Sequence, residues 1–465
     1  MKLYKNPNFD DKNKKYKLYE DLYTGEQSVM VTQEYLPYHQ LETGNNDGAQ
    51  KARATRETLS KYTNFASRII RRYKSITFQK DPVLDPETIN LLTELGLLDN
   101  IDGYGTPFID YIKDNIFINR GKYGDVFLLT TSDGERIIWD CVIPRGVPDY
   151  QFNKGMLVLF RYEYEVQKIR QSSQEQPEME LYSDEYALVD GGVTLTRYKA
   201  EKRDSAYSVP DWKVIEVMQV TNFEEIPVAT MMADSLLKDC ANDILTYHGL
   251  KSSLLNQIYH QAYQKIFVTG NVKQEQVVAM SEYTVALIPS EPGEQAANVT
   301  VIEPSNPTAL IGEKNTTEIN IYKSAFHLDR VVPTDSGNIE AADSQAKSKE
   351  DLLKSIEGDI NSLERLINKA LQHIATQAGK SNFNGKVTFN KDVDITSLQD
   401  QLADEMAYRE DIRKYADWEK ALMKKVVTRQ GFDTDTETKI IKQIETQTAI
   451  ALPAVQAPAI TLNNA

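Results

Sequence analysis

Between residues 343 and 378 the chain carries apolar residues at helical spacing without a break: Leu352, Leu353, Ile356, Ile360, Leu363, Ile367, Ala370, Leu371 and Ile374, with charges between them. A strand would alternate every second residue, and a loop would need turn residues, so this pattern admits only an amphipathic helix. At 1.5 Å per residue such a helix is roughly 50 Å long. One face of it must then be covered by several other elements, and the rest of the chain has to supply them.

Read from the start, residues 1–50 hold Pro7, Pro37, Gly44 and Gly48 and few apolar periods, which predicts an irregular extension. Residues 52–76 read as one helix, with Leu59, Tyr62, Ala66, Ile69, Ile70 and Tyr73 in a stripe and Asp81-Pro82 as the stop. Asp85-Pro86 starts a short helix closed by Gly96, and Thr106-Pro107 starts another ended by Gly121. From Tyr123 to Val220, short β-rich runs separated by turns such as Asp190-Gly191-Gly192 predict an antiparallel β module of about 100 residues. Residues 231–265 read as a long helix. Ile266–Gly270, Val285–Ile288 and Val299–Ile302 read as three strands, and residues 308–327 as a second helix. A loop at 329–342 leads into the long helix. Gly385–Ile395 reads as a return strand and 397–428 as helical, and the last residues form an Ala/Pro-rich tail. The fold class expected is α+β, with long amphipathic helices and antiparallel β modules; at 465 residues, about two to four modules are needed.

Charge restricts the function. The net charge is −15, whereas a chain whose task is to grip duplex DNA should be basic. The distribution is uneven. Residues 51–80 contain nine Lys/Arg against one Glu, and residues 281–345 contain ten Asp/Glu against three Lys/Arg. Cys141 and Cys240 are too few and too far apart for a disulfide framework, so folding in a reducing cytoplasm is expected. The polar N-terminus does not read as a signal peptide, and no apolar run has membrane-spanning length.

Catalytic patterns are scarce. Gly103-Tyr104-Gly105 begins like a dinucleotide fingerprint, but Phe108 stands where the third glycine belongs and no βαβ unit surrounds it. There is no GxxxxGK[ST], HExxH, CxxC or GxSxG. His248 and His260 are twelve residues apart, which separates them around a helix and argues against a shared metal. Acidic neighbours such as Glu224-Glu225 point to different faces and read as solvated charge. No catalytic residue, metal or cofactor is expected. Trp139, Asp140 and Cys141 within 123–220 are the residues an unrecognised enzyme site would use, although packing is the favoured role.

The order helix, small β module, helix, loop, long helix at 231–378 resembles that of tailed-phage portal proteins. The stretches KARATRETLSKYTNFASRIIRRYKSITFQKDP, LLKDCANDILTYHGLKSSLLNQIYHQAYQKIFVTG, ALIPSEPGEQAANVTVIEPSNP and VVPTDSGNIEAADSQAKSKEDLLKSIEGDINSLERLINKALQHI carry the likeness, which covers about residues 52–428. The resemblance implies a portal fold. Its parts would be an extension (1–50), a wing of helices and β module (51–230), stem helices (231–265 and 308–328), a clip (266–307) and a tunnel loop (329–342). A long wing helix with return strand (343–396), crown helices (397–428) and a C-terminal helix and tail (429–465) would follow. It further implies a homo-oligomeric ring of roughly twelve copies at one capsid vertex, assembled in the host cytoplasm. Double-stranded DNA would pass through it without sequence reading. The terminase large subunit, a head–tail adaptor, the major capsid protein and scaffold would be partners, with no membrane.

Within that likeness, Arg330, Asp335, Ser336, Gly337, Asn338 and Glu340 would face passing DNA. Glu282, Glu291, Glu294 and Glu303 would meet docking partners. Arg53, Arg56, Arg68, Arg71 and Arg72 would form a basic wing face. Acidic walls suit a conduit in which DNA must slide, and twelve copies of −15 sum to roughly −180. The other readings kept open are a different virion ring or head–tail adaptor protein, and an enzyme using residues 123–220.

Overall fold

The computed structural model describes residues 1–39, 42–44, 47–133, 136–168, 179–201, 210–261, 265–269, 285–288, 298–302, 307–326, 339–380 and 382–391. Met1–Val393 form one compact unit and Asp394–Ala465 a second. The second unit, with the crown and tail expected at 397–465, lies outside the described residues. The first unit mixes helix and sheet, so the α+β class holds.

The long helix, α10, is Ile339–Gln377, the last of ten α-helices among the described residues, labelled in chain order below. It starts four residues before the sequence reading placed it and takes in the end of the expected loop, Glu340 included. Ile356, Ile360, Leu363, Ile367, Ala370, Leu371 and Ile374 are all buried. They pack on β2 (Val126–Asp133), β9 (Val228–Met231) and α4 (Phe65–Thr77). At 39 residues the helix spans roughly 58 Å. Burying a fully apolar Ile or Leu is worth about 1.5–3 kcal/mol, so this stripe is a principal fastening of the unit.

Residues 1–50 are not irregular. α1 (Phe9–Thr24) buries Tyr16, Tyr19 and Leu22 against α4 and α7 (Phe117–Tyr123), and α2 (Gln27–Met30) follows. Ahead of α1, the first residues cross the large sheet. Met1 and Trp212 exchange backbone hydrogen bonds, Arg161 donates to the Tyr4 carbonyl, and Asn6 N–H donates to Pro148 O at 3.0 Å.

The single helix expected at 52–76 is two: α3 (Asp47–Leu59) and α4. Asn64 divides them, because its side chain accepts from Ser67 N–H at 2.8 Å and caps the second helix. α5 (Pro86–Glu94) is capped by Asp85, with Gly96 left-handed beyond it. α6 (Phe108–Tyr111) passes through a π turn (Ile112–Ile116) into α7. Gly121 does not end α7. It lies inside the helix, where a Cβ would stand 2.8 Å from Ile70 Cγ2, so it permits close approach to α4. The helix ends at Gly124, whose φ is +82°.

The β region is two sheets rather than one module. β2 lies between β3 (Arg136–Val142) and β9, all antiparallel. The second sheet is the five-stranded antiparallel meander β4 (Asp149–Asn153), β5 (Met156–Gln167), β6 (Met179–Val189), β7 (Gly192–Ala200) and β8 (Trp212–Val220). Phe127, Leu129 and Val142 of the first sheet pack against Phe160, Tyr186 and Leu195 of the second. The chain therefore returns at Val228–Met231 as a strand, where the sequence reading began a helix. Finally, β1 (Val83–Leu84) pairs with β13 (Val387–Thr388) beside α10, a shorter return strand than expected.

Candidate functional site

α8 (Ala241–Gln261) begins ten residues later than the sequence suggests. Residues 235–240 form turns in which Ser235 Oγ donates to the Gly121 carbonyl and accepts from Leu237 N–H. After α8 come β10 (Lys265–Thr269), β11 (Val285–Ile288) and β12 (Asn298–Ile302), then α9 (Thr308–Ala325). β10 is the central strand, parallel to β11 and antiparallel to β12. Lys265, just past α8, pairs with Ile302, just before α9, so the two helices share one base on the small sheet. α8 and α9 also pack directly on each other.

Each helix is fastened to the body differently. Phe65 of α4 makes edge contacts with Tyr247 of α8 and Tyr322 of α9, with centroids 4.9 and 5.7 Å apart. Tyr73 donates from its hydroxyl to the Ala325 carbonyl at 2.8 Å and stacks on Phe326. Polar bonds also hold α8. His248 Nε2 donates to Met30 O at 3.0 Å, Lys251 Nζ donates to Thr63 Oγ1 at 2.7 Å, and Arg56 Nε donates to Ser252 Oγ at 3.0 Å. Burial lowers the His248 pKa, with Lys251 and Arg56 acting the same way against the Met30 bond.

These contacts correct the basic wing face. Arg56 is 2% exposed and reaches Glu42 Oε2 at 2.7 Å and the Pro37 carbonyl at 3.0 Å. Arg53 is also buried and donates to the Leu36 carbonyl at 2.8 Å. Both are internal fasteners of residues 31–42. Arg68, Arg71 and Arg72 do lie exposed on α4.

Apolar residues remain open on the outer side of the α8–α9 pair. Ile258 is 46% exposed, and Ile311 and Ile319 of α9 are 39% and 48% exposed. The exposed face of α9 also carries Gly312, Asn315, Thr316 and Asn320, with Glu313 as a charged residue at its edge. The acidity expected across 281–345 does not extend to α9, where Glu313 and Glu318 are balanced by Lys314 and Lys323. Lys314 and Glu318 pair at 3.6 Å. The excess acid belongs to segments outside the described residues. Glu282, Glu291, Glu294, Glu303, Arg330, Asp335, Ser336, Gly337 and Asn338 lie there, and Glu340 falls in the first turn of α10.

Trp139 itself is a core residue, 1% exposed against Phe108, whereas Asp140 is exposed and Cys141 half-buried, with its thiol pushed up to about 12 by the surrounding protein. Asn119 Nδ2 donates to Cys141 Sγ at 3.4 Å, and a thiol held protonated this firmly is a poor nucleophile. A cavity of about 630 Å³ between the sheets is lined by Tyr162 and by Asp184, whose carboxylate takes two bonds from Arg197 at 2.9 and 2.8 Å. That carboxylate is already neutralised and faces no nucleophile. Among the described residues no cluster of His, Cys, Asp or Glu is arranged to hold a metal, and no helix is long and apolar enough to cross a membrane.

Glu225 is not solvated charge. Lys369 and His373 of α10 both reach its Oε1, the latter at 3.2 Å, and the His373 bond followed by the Lys369 ammonium depresses its pKa to about 2 despite partial burial. Sequence adjacency to Glu224 concealed this, because the partners lie nearly 150 residues away. No family model matches the chain, and no curated protein matches it.

Proposed function

We propose that the chain is a portal-type protein: a non-enzymatic ring at one capsid vertex through which double-stranded DNA is packaged and ejected. The observation that carries the reading is the α8–α9 pair. It is joined to three strands and is followed along the chain, beyond residues 327–338, by the 39-residue α10, while Ile258, Ile311 and Ile319 lie exposed on it. Apolar side chains set on a helix face among mostly uncharged neighbours suit burial against another copy. A ring built head to tail needs such a face on every subunit. In this reading α8 and α9 line the stem, β10–β12 belong to the clip that meets terminase and adaptor, and the segment before α10 faces DNA. An acidic conduit keeps phosphates from adhering, so that the duplex can move.

Electron microscopy of the purified full chain tests the proposal. The expected particle is a winged ring of roughly twelve copies with an open channel. A monodisperse monomer or a filament would overturn it. Deleting residues 333–340 should leave such rings intact while lowering the DNA retained in particles.

A further inference from the structure

Three cations act on one another where α4, α8 and α9 meet: Arg68 of α4, Lys251 of α8 and Lys314 of α9, with Arg72 one turn along α4 from Arg68. Lys74, Lys113, Arg120 and Lys369 each have a carboxylate at hand. Among the described residues Arg71 and Arg72 take no ion pair, and Arg68 lies over the Phe65 ring at 5.9 Å. Lys314 sits over the Tyr247 ring at 5.3 Å, with Glu318 the one carboxylate near it. Burial, then the charges of Lys314 and Arg68, hold the Lys251 ammonium below its ordinary value, and Glu318 offsets only part of this. Like charges have been brought together with Glu318 offsetting only part of their repulsion, a cost that an arriving anion would relieve.

We propose that this junction of α4, α8 and α9 is a docking surface for an acidic face of a second copy of the chain. The inference rests on the ring reading and gives it an electrostatic half. Two copies at −15 repel each other, so the approach is least costly where one copy presents a local excess of cations. The position fits as well. On α9, Ile311 and Asn315 follow Lys314 and Glu318 around the helix at 100° per residue, so the cations adjoin the open apolar face. An interface with an apolar centre and an arginine-rich flank results. It is heterologous: the basic surface of one copy meets a different, acidic surface of the next, as ring closure requires. Arginine suits the role because its planar fork can hold a carboxylate through two bonds.

The test uses the full chain and three proteins: wild type, Arg68→Glu/Arg72→Glu and the conservative Arg68→Lys/Arg72→Lys. Mass photometry follows assembly from about 50 to about 500 mM salt. Circular dichroism confirms that each subunit is folded. Wild-type assembly should weaken as salt rises. The reversal variant should need about tenfold more protein to assemble at low salt, and the lysine variant should stay within about threefold of wild type. Reversal-variant rings forming as readily as wild type would overturn the docking surface while leaving the ring reading intact. A wild type that remains monomeric at every salt concentration would remove both. Fluorescence anisotropy with a duplex of about 30 base pairs completes the test. Tight binding that the reversal abolishes, with assembly unchanged, would assign the patch to nucleic acid and overturn the proposal.

Discussion

Replacing Arg56 with methionine isolates the device that fastens residues 31–42 and α3 to α8. The guanidinium donates to Glu42 Oε2 at 2.7 Å, Pro37 O at 3.0 Å and Ser252 Oγ at 3.0 Å, and both Arg56 and Glu42 have side chains only 2% exposed. Methionine fills much of the volume and supplies no donor. Glu42 would keep the His39 N–H at 2.9 Å, but the nearest remaining cation, Arg53, is 3.7 Å away. Removing one partner of a buried pair costs about 3–5 kcal/mol, because the other charge stays buried and uncompensated. Each 1.4 kcal/mol is a factor of ten, so amides of α3 and α8 should exchange with solvent about a hundredfold faster or more.

Arg72→Met, on the exposed side of α4, is the control and should change stability by no more than about 0.5 kcal/mol. Adding Glu42→Gln to Arg56→Met should recover part of the loss, since the orphaned carboxylate is then neutral. Acid titration gives a second readout. Burial pushes the Glu42 carboxyl up, but the His39 N–H and Arg56 together outweigh it and hold the pKa below 4.5. A depressed folded pKa contributes stability that is complete above the ordinary value and lost as pH falls through the folded one. In Arg56→Met that loss should begin at higher pH. If Arg56→Met behaved like Arg72→Met in exchange and in acid, the pair would not be the fastening described.

Glu225→Gln should destabilise by about 0.5–1 kcal/mol, since solvent screens the partly exposed pair, and flatten the acid limb between about pH 4.5 and 2, because the Glu225 pKa of about 2 makes its contribution present above the ordinary carboxylate value and lost below it; urea denaturation at stepped pH measures both. His373 is held neutral by burial against its Glu225 bond, so its ring should show a pKa below 6.5 by NMR titration. Gly124→Ala should be far more damaging than Gly105→Ala. Both glycines have positive φ, but a Cβ on Gly124 would stand 2.1 Å from the Ala233 carbonyl oxygen, whereas nothing lies within 4 Å of one on Gly105. Gly105→Ala then costs only the backbone strain of about 1–2 kcal/mol, and comparison of the two melting temperatures checks the difference.

Local chemistry determined a good deal of this protein. The stripe from Leu352 to Ile374 could only be a long helix, and Asp85-Pro86 and Gly96 bracket α5 as capping residues do. The alternating runs at 156–164, 179–188 and 193–198 all became strands of one meander. Such features act through neighbours a few residues away, so sequence displays them directly. Where the reading failed, the signal was still local but weak. Asn64 caps Ser67 and splits one expected helix in two, and α1 builds its buried stripe from Tyr16 and Tyr19, which count as polar until Tyr16 finds Asp125 at 2.6 Å.

Only the tertiary structure decided which charges face solvent and which are internal fasteners. Arg56 and Arg72 are indistinguishable in a window of sequence. One is buried because Glu42 and Ser252 meet it, and the other is exposed because α4 turns it outward. The same holds for Val228–Met231, a strand because β2 offers it an open edge, and for Glu225, whose partners come from α10. Burying a charge is tolerable only where a partner already stands, and that partner is supplied by chain folding from a distance. The long helix was therefore evident from its own residues, while the mutual repulsion of Arg68, Lys251 and Lys314 became visible only once three separate helices had met.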